Sequence, residues 1–297
     1  MESQGITAEV SLHRETGPYR LLARAPGLSF SLGENRRLTM TELRMQARGE
    51  RLPQEGSEIQ PGEVHIALDT LSLSDESSPE RAFDLGKLHY QVDLAVTGDF
   101  LDLNARIGAQ TLRTGDQEHG PADYDFSASH LNIPALLQIR ERYRALQDDP
   151  QMATQPFAVL GAVGEPLQQL LQQQPVFKVD RLAFQTADGQ TQASARLAMG
   201  ALDPAASGNL LAMLGRLELQ AELKLPEALA LSLADRRGAF PEEDAGVARM
   251  RMLAQRTQLQ RLVDQGYLVR EDGLLHTRVE MRQGAIMLNG KPLGGNS

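Results

Sequence analysis

The chain contains no cysteine and no tryptophan, and aromatic residues make up only 4% of its 297 residues. Without cysteine there can be no disulfide framework, no zinc–thiolate site, no iron–sulfur cluster and no thiol nucleophile. An absence of thiols suits an oxidising compartment, although many cytosolic domains also lack cysteine. With so few aromatic residues, the hydrophobic core must be built mainly from Leu, Val, Ala and Met.

Basic residues are scarce relative to acidic ones. Lys and Arg number 30 against 39 Asp and Glu, which gives a formal charge of −9. Because nucleic-acid affinity depends largely on neutralising phosphates with basic side chains, nucleic acid is a poor candidate partner. The same whole-chain charge weakens docking on anionic lipid head groups. Hydrophobic residues at 41% and charged residues at 23% predict a folded chain.

Long apolar runs and recognisable catalytic motifs are also missing. No stretch approaches the roughly 20 apolar residues that span a bilayer, and residues 1–11 lack the pattern of a signal peptide. The chain has no dinucleotide-binding glycine motif, phosphate-binding loop, HExxH zinc motif or GxSxG nucleophile elbow. We therefore predict no catalytic residue, no metal site and no cofactor.

The dominant pattern is a two-residue alternation of apolar and polar side chains over the first 130 residues. Apolar residues keep one parity within each of five segments: Tyr19–Ala23, Leu28–Leu32, Val64–Leu68, Leu88–Val96 and Leu101–Ile107. A period of two places such residues on one face of a sheet. Turn residues separate the segments and no helical pattern lies between them, so we expect antiparallel hairpins.

Helical patterns begin later in the chain. The first predicted helix starts near Pro134, where proline is tolerated, and ends at 148–150. A second runs over about 157–173, and Gly164-Glu165-Pro166 should break or restart it. A third follows Pro226, and a fourth covers 241–265. The apolar residues of the fourth helix do not gather on one side.

Strand patterns return between these helices. Val176–Thr186 and Thr191–Met199 flank an Asp188-Gly189 turn and predict a β-hairpin. Leu217–Leu225 is the cleanest alternation in the chain. Leu274–Met281 and Ala285–Leu288 predict a closing strand pair.

Together the patterns predict an α+β fold, with a large, mainly antiparallel sheet and several helices in the C-terminal half. Leu131–Leu137 and Leu223–Leu229 both combine a strand end, a proline and a helix start. This echo suggests two repeated β-then-α units, against the alternative that both use a common junction by chance. We expect a β-rich unit over 1–150 and a mixed α/β unit over 151–297. The alternative is one continuous domain.

Two groups of acids offer oxygen ligands. Asp99, Asp102 and Asn104 form one group, and Asp123 and Asp125 form the other. Neither follows the twelve-residue loop of a calcium-binding EF-hand. The same four aspartates would be the candidates for an unrecognised hydrolytic site, if two carboxylates converged in a pocket.

The remaining ionisable groups have structural interpretations. The histidines are His13, His65, His89, His119, His130 and His276, and no two have the spacing of metal ligands on a helix. His65 and His89 lie in alternating segments and should face solvent. Arg140, Arg142 and Arg144 spread around the first helix and predict a solvated surface. Glu242, Glu243 and Asp244 follow Pro241, where acids favour a helix N-terminus.

Several segments resemble one known family. They are His119–Phe126, His130–Leu136, Leu262–Gly273 and Gly284–Leu293. Over about 60–297 the chain resembles the YdgA family of Gram-negative envelope proteins. The resemblance implies a periplasmic location, an N-terminal membrane anchor and no established activity. It identifies this chain as a trimmed periplasmic part or a short member, attached to the inner membrane through a segment that it lacks.

The C-terminal signature also has a purely structural interpretation. Asn289-Gly290 predicts a tight turn, because both residue types tolerate positive φ. Gly266 suits a helix C-cap, and Lys291-Pro292 should end the last strand. We therefore expect the signature to determine the fold rather than to bind a ligand.

Three functions follow from these patterns. The first is a non-enzymatic periplasmic binding or scaffolding protein, with an apolar sheet face that holds a lipid, a lipoprotein or another envelope partner. A sheet longer than its helices can cover would leave such a face. The second is a structural homodimer of the envelope. The third is a hydrolase with an unrecognised carboxylate site.

Overall fold

The computed structural model describes residues 2–3, 5–12, 17–51, 59–78, 81–115, 117–147, 156–201, 209–238 and 245–293. The strands are β1 (Glu2–Ser3), β2 (Thr7–Leu12), β3 (Gly17–Ser31), β4 (Arg36–Arg51), β5 (Gly62–Asp75), β6 (Phe83–Thr97), β7 (Phe100–Ala109), β8 (Thr111–Thr114), β9 (Gln117–His119), β10 (Ala122–Asn132), β11 (Val176–Thr186), β12 (Gly189–Met199), β13 (Leu217–Pro226), β14 (Val269–Glu271), β15 (Leu274–Arg282), β16 (Ala285–Leu288) and β17 (Lys291–Pro292). The helices are α1 (Ile133–Gln147), α2 (Pro156–Gln172), α3 (Leu210–Leu214), α4 (Glu227–Gly238) and α5 (Ala245–Asp264).

The long strands form one antiparallel sheet. The registers give the order β2-β3-β4-β5-β6-β7-β10-β11-β12-β13-β15-β16. The short strands pair at its margins: β1 with β3, β8 with β6, β9 with β8, β14 with β15 and β17 with β16. Strands that are neighbours in this order also follow one another in the chain, apart from the short strands β8, β9 and β14. The predicted hairpins are therefore confirmed.

The prediction of an α+β fold with repeated β-then-α units is wrong. Strand residues outnumber helical residues about two to one, and the helices are short insertions into a continuous sheet. β10 and β11 pair with each other although α1 and α2 lie between them in the chain. The two echoing segments also differ. Pro134 is the second residue of α1, whereas Pro226 is the buried last residue of β13.

The division at residue 150 stays a prediction. β10, from the first proposed unit, pairs with β7 on one side and with β11, from the second, on the other. The expected helix stop at 148–150, His13 and the acids Glu242, Glu243 and Asp244 lie outside the described residues. Among the described residues, no helix has the length and apolar content needed to cross a bilayer.

Four neighbouring strands change parity at the same level. The ladder of β3 and β4 runs to Ala25 and Leu43 and resumes at Gly27 and Thr41. The ladders of β4 with β5 and of β5 with β6 are interrupted beside it, around positions 69 and 87. Positions 42 and 87 have φ of 49° and 52°. A positive φ interrupts alternation, so the apolar residues change parity at Glu42 in β4 and at Lys87 in β6. At the same level of the sheet, the apolar residues of β3 move from odd to even positions.

The hydrophobic core lies against the central strands of the sheet, toward one end of their length. α1 and α2 pack against each other and onto β10, and Leu101 of β7 belongs to the same cluster. The buried residues of this cluster are Leu101, Ala128, Leu131, Ala135 and Leu170. Leu94, Phe126 and Phe177 add partly buried side chains from neighbouring strands. Among the described residues, α1 and α2 thus cover the sheet near this cluster, and α4 contacts β13.

Pro166 does not break α2, contrary to the prediction. It lies inside the helix and is almost completely buried. Proline lacks the N–H that would bond the carbonyl four residues earlier, here that of Ala162. Arg142 of α1 donates from Nη1 to this carbonyl oxygen at 3.0 Å, and from Nη2 to Glu165 at 2.8 Å. The predicted solvated surface is therefore wrong for Arg142, which joins the two helices.

The C-terminal signature closes the fold, as its residues predict. Gly266 has φ of +75° and follows α5. Its N–H bonds the Val263 carbonyl at 2.8 Å, and the Tyr267 N–H bonds the Leu262 carbonyl at 2.9 Å. These two bonds define a Schellman C-cap. A Cβ on Gly266 would also lie 2.3 Å from Lys291 Nζ.

Asn289 ties the last turn to this cap. Asn289 and Gly290 have φ of 48° and 76°, as the predicted tight turn requires. Asn289 Nδ2 donates to the carbonyls of Gly266 and Tyr267 at 3.2 and 2.9 Å, and its Oδ1 accepts from the Arg278 N–H at 2.7 Å. Lys291 Nζ donates to the Gln265 carbonyl at 2.6 Å, next to the negative end of the helix dipole.

We expect Arg142→Met to lower the free energy of unfolding by about 1–3 kcal/mol, because it leaves the Ala162 carbonyl without its donor while keeping an aliphatic stem. Arg144→Met, on an exposed position of the same helix, should change stability by about 0.5 kcal/mol or less. Urea unfolding followed by circular dichroism measures both. Equal effects would mean that Arg142 does not compensate for Pro166.

We expect Asn289→Ala to lower the free energy of unfolding by about 3 kcal/mol, since it removes three hydrogen bonds worth about 1 kcal/mol each. Asn104→Ala, on the exposed face of β7, is the matched control and should cost about 0.5 kcal/mol or less. The same urea titration applies. A stability loss no larger than that of the control would contradict the structural role of the signature.

Candidate functional site

One face of the sheet is apolar along aligned rows that cross nearly all of its strands. Row one contains Ala8, Ala23, Met45, Ile66, Tyr90, Ile107, Tyr124, Leu182, Ala193 and Leu223. Row two contains Val10, Leu21, Ala47, Val64, Val92, Ala105, Phe126, Val179, Ala195, Ala221, Val279 and Leu288. Row three contains Tyr19, Gly49, Gly62, Leu94, Leu103, Ala128, Phe177, Leu197, Leu219, Met281 and Ile286.

The positions between these rows point to the opposite face and are largely polar. One such row contains Ser11, Arg20, Arg48, Glu63, Asp93, Asn104, Ser127, Lys178, Arg196, Gln220 and Glu280. Ion pairs cross this face, among them Arg181 with Asp123 and Arg278 with Glu280. One face of the sheet is thus polar and suits contact with water, and the other face is apolar.

The apolar face is covered unevenly. Row three lies under α1 and α2 where it crosses β6, β7, β10 and β11. Row one is uncovered on the same strands: Tyr90, Ile107 and Leu182 have 36%, 40% and 39% of their surface exposed. They lie at the centre of the sheet, where coverage should be most complete. With Tyr124, they form a continuous patch across four adjacent strands, which we call the row-one patch; it spans about 14 Å at the usual strand spacing.

A groove of about 580 Å³ crosses β2 to β6 at the level of row one. Its lining includes Ala8, Ala23, Met45, Ile66 and Tyr90, together with their neighbours along the strands. Its volume lies within the usual range for small-molecule sites. Residues of both faces contribute to the lining, so the exposure of the row-one side chains, and not this groove, is the stronger indication of a binding surface.

The structure shows where the two acidic groups predicted from the sequence lie. Asp102 Oδ1 accepts the His130 N–H at 2.7 Å, at a bulge where His130 has φ of 60°. Asp123 pairs with Arg181 at 3.3 Å. Asp125 lies opposite Arg106, and Asn104 opposite Ser127, on the polar face. Asp99 lies exposed in the turn between β6 and β7.

The two strand histidines lie on the polar face, as expected, but in different surroundings. His89 is exposed, whereas His65 is half-buried beside Glu63, with its Nε2 at 3.6 Å from Glu63 Oε1. Of the other histidines, His130 stacks on Phe100 with ring centroids 4.1 Å apart. Its Nδ1 lies 2.5 Å from the Gln173 carbonyl oxygen.

Among the described residues, one group of possible metal ligands comes together that sequence reasoning missed. The ligand atoms of Glu63, His65 and Asp93 lie within 4.8 Å of one another. The register pairs Glu63 with Asp93, and no sequence spacing signals this pairing. Arg48 already forms an ion pair with Glu63, and Gln91 Nε2 donates to Asp93 at 2.9 Å. A guanidinium therefore fills the cation position, and the group is an ion-pair network.

This fold and its partly covered face define a class: an antiparallel β protein built on a single sheet with one apolar side. The chain belongs to the family described as "Bacterial protein of unknown function (DUF945)", which matches residues 1–294. The match includes the N-terminal strands that lie outside the resemblance noted from sequence. Comparison with curated proteins and with solved structures gives no significant match.

We expect Arg48→Gln to raise the pKa of Glu63. The hydrogen bond from Arg48 holds the pKa of the Glu63 carboxyl below its usual value of about 4.3. A depressed pKa contributes stability that is present above the ordinary pKa and is lost as pH falls through the folded value. Carbon-detected NMR titration of the side-chain carboxyl measures the change. Asp75, whose pKa is lowered by hydrogen bonds from Ser77 and Arg36, is the internal control and its pKa should stay the same; an unchanged Glu63 pKa contradicts the assignment.

Proposed function

We propose that this protein is a non-enzymatic binding protein of the bacterial cell envelope that holds the acyl chain of a lipid on the row-one patch. The observation that carries the proposal is the exposure of Tyr90, Ile107 and Leu182 at the centre of a sheet whose register keeps that face apolar. An acyl chain is the simplest partner for such a surface, because it needs no hydrogen bonds from the protein.

The energetics favour occupation of this surface. Removing apolar area from water contributes about 25 cal/mol per Å², so covering each of these side chains is worth on the order of 1 kcal/mol. The two tyrosines of the patch combine an apolar ring with a hydroxyl that can bond the polar end of a lipid. Small residues beside the patch, Ala105 and Ala193, leave room for a chain to lie along the row.

A location in the periplasm at the inner membrane is part of the same proposal. The absence of cysteine and the resemblance to the YdgA family support it. No observation favours the hydrolase, since Asp102 and Asp123 are engaged in structural contacts. A homodimer that buries the patch is the competing possibility and is an outcome of the experiment below.

The experiment has two steps. Native mass spectrometry of the protein purified from cells should show a bound lipid. After lipid removal, a fluorescent fatty acid should bind, and Ile107→Asn and Leu182→Asn should each weaken binding about tenfold, which corresponds to about 1.4 kcal/mol. Leu32→Asn, at an exposed leucine between β3 and β4, is the matched control and should bind as the wild type does.

A lipid-free mass together with equal affinities in all variants would reject the proposal. Light scattering over a dilution series separates the dimer. A dimer that Ile107→Asn dissociates, with no lipid bound, would assign the patch to self-association.

A further inference from the structure

α5 has apolar residues on two sides, which explains why its sequence shows no single apolar face. One side of α5 faces α4, where Met252, Gln255 and Arg256 line a cavity between the two helices. Leu259 and Leu262 are half-buried. The other side is exposed: Val247, Met250 and Leu253 have 52%, 70% and 58% of their surface accessible. Residues three apart lie on one side of a helix, so these three form a stripe, which we call the outer stripe.

Positive charge accompanies the outer stripe. α5 contains four arginines and a single acidic residue, Asp264, whereas the whole chain is acidic. Arg249 and Arg256 are exposed and, at 100° per residue, lie along one flank of the stripe. Asp264, at the far end of the helix, bonds Gln260 at 2.7 Å. With four arginines and one aspartate, α5 itself has a formal charge of +3 (4 − 1) in a chain of −9.

We propose that α5 docks on an anionic membrane surface, lying in the plane of the interface with the outer stripe inserted among the lipids. Exposed apolar side chains with arginines beside them are two features that α5 shares with interfacial helices. Charge complementarity selects the occupant, because Arg249 and Arg256 can pair with lipid phosphates while the stripe enters the acyl boundary. The inference goes beyond the lipid site on the sheet and does not depend on it.

Vesicle flotation of the full chain tests this docking. Binding is expected to vesicles of phosphatidylcholine mixed with phosphatidylglycerol and to be much weaker with phosphatidylcholine alone. Arg249→Gln and Arg256→Gln should each lower the partition coefficient about fivefold on the anionic vesicles, since each basic residue near such a surface contributes about that factor. Met250→Asp combined with Leu253→Asp should abolish binding on both.

Two control variants test whether vesicle binding depends on α5 or on any exposed leucine or arginine of the chain. Leu211→Asp changes an exposed leucine of α3, and Arg282→Gln changes an exposed arginine of β15. Both should bind vesicles as the wild type does. Because all the substituted positions are exposed, unchanged circular dichroism spectra should accompany every variant.

The outcomes discriminate clearly. Equal binding to neutral and anionic vesicles, no binding at all, or wild-type binding by the α5 variants would overturn the inference. So would a dimer that the Met250 and Leu253 substitutions dissociate, because the stripe would then serve a second copy. Ile107→Asn should leave vesicle flotation unchanged, so failure of the sheet site and failure of the helix site are distinguishable.

Discussion

Strand register is the constraint on which the rest of this structure depends. A slip of one residue in any strand would move its apolar side chains to the polar face. Across β2 to β16 the pairings instead keep Ala, Val, Leu and Phe in one row from edge to edge. Where the pairing is irregular, the sidedness survives. In β11 the extra residue at the bulge places Asp180 and Arg181 together, so that Val179 and Leu182 stay on the apolar face.

That sidedness creates a surface which the chain does not cover. A sheet with one apolar face is stable when a second layer packs on it. In the part of the chain that the structure describes, α1 and α2 supply that layer above Leu101 and Ala128 on the central strands, and α4 adds a contact with β13. The uncovered row-one side chains still occupy an unbroken row, because the ladder interruptions around positions 42, 69 and 87 lie outside it. The lipid proposed above would account for this exposure.

Much of the secondary structure follows from local patterns. The two-residue alternation predicts the long strands, and Pro134, Gly266 and Asn289-Gly290 locate a helix start, a helix end and a turn, because each acts through its own backbone geometry. The fold class does not follow in the same way. Pairing of β10 with β11 across residues 133–175 is a long-range fact, and the sequence echo at two strand-to-helix junctions wrongly suggests a repeat.

The candidate sites could likewise be predicted from the sequence only in part. The alternation predicts that one face of the sheet is apolar. The exposure of Ile107, however, depends on where α1 and α2 pack on that face. Pro166 and Arg142 show the same limit, since the carbonyl that proline leaves free is bonded from another helix. Glu63 and Asp93 meet only through register. In each case the decisive partner is distant in the chain.

The two proposed surfaces would contact different parts of a lipid, so they can act together. The row-one patch offers apolar area and tyrosine hydroxyls but no cationic side chain, so it suits an acyl chain without selecting the charge of its head group. α5 offers arginines beside a short apolar stripe, so it suits a surface of anionic head groups without room to enclose a chain. A protein that only bound to membranes would need α5 alone, and the exposure of the apolar face would then have no explanation. A protein that only stored a hydrophobic ligand would need the face alone. Both features in one chain are consistent with a protein that takes up its ligand at a membrane surface.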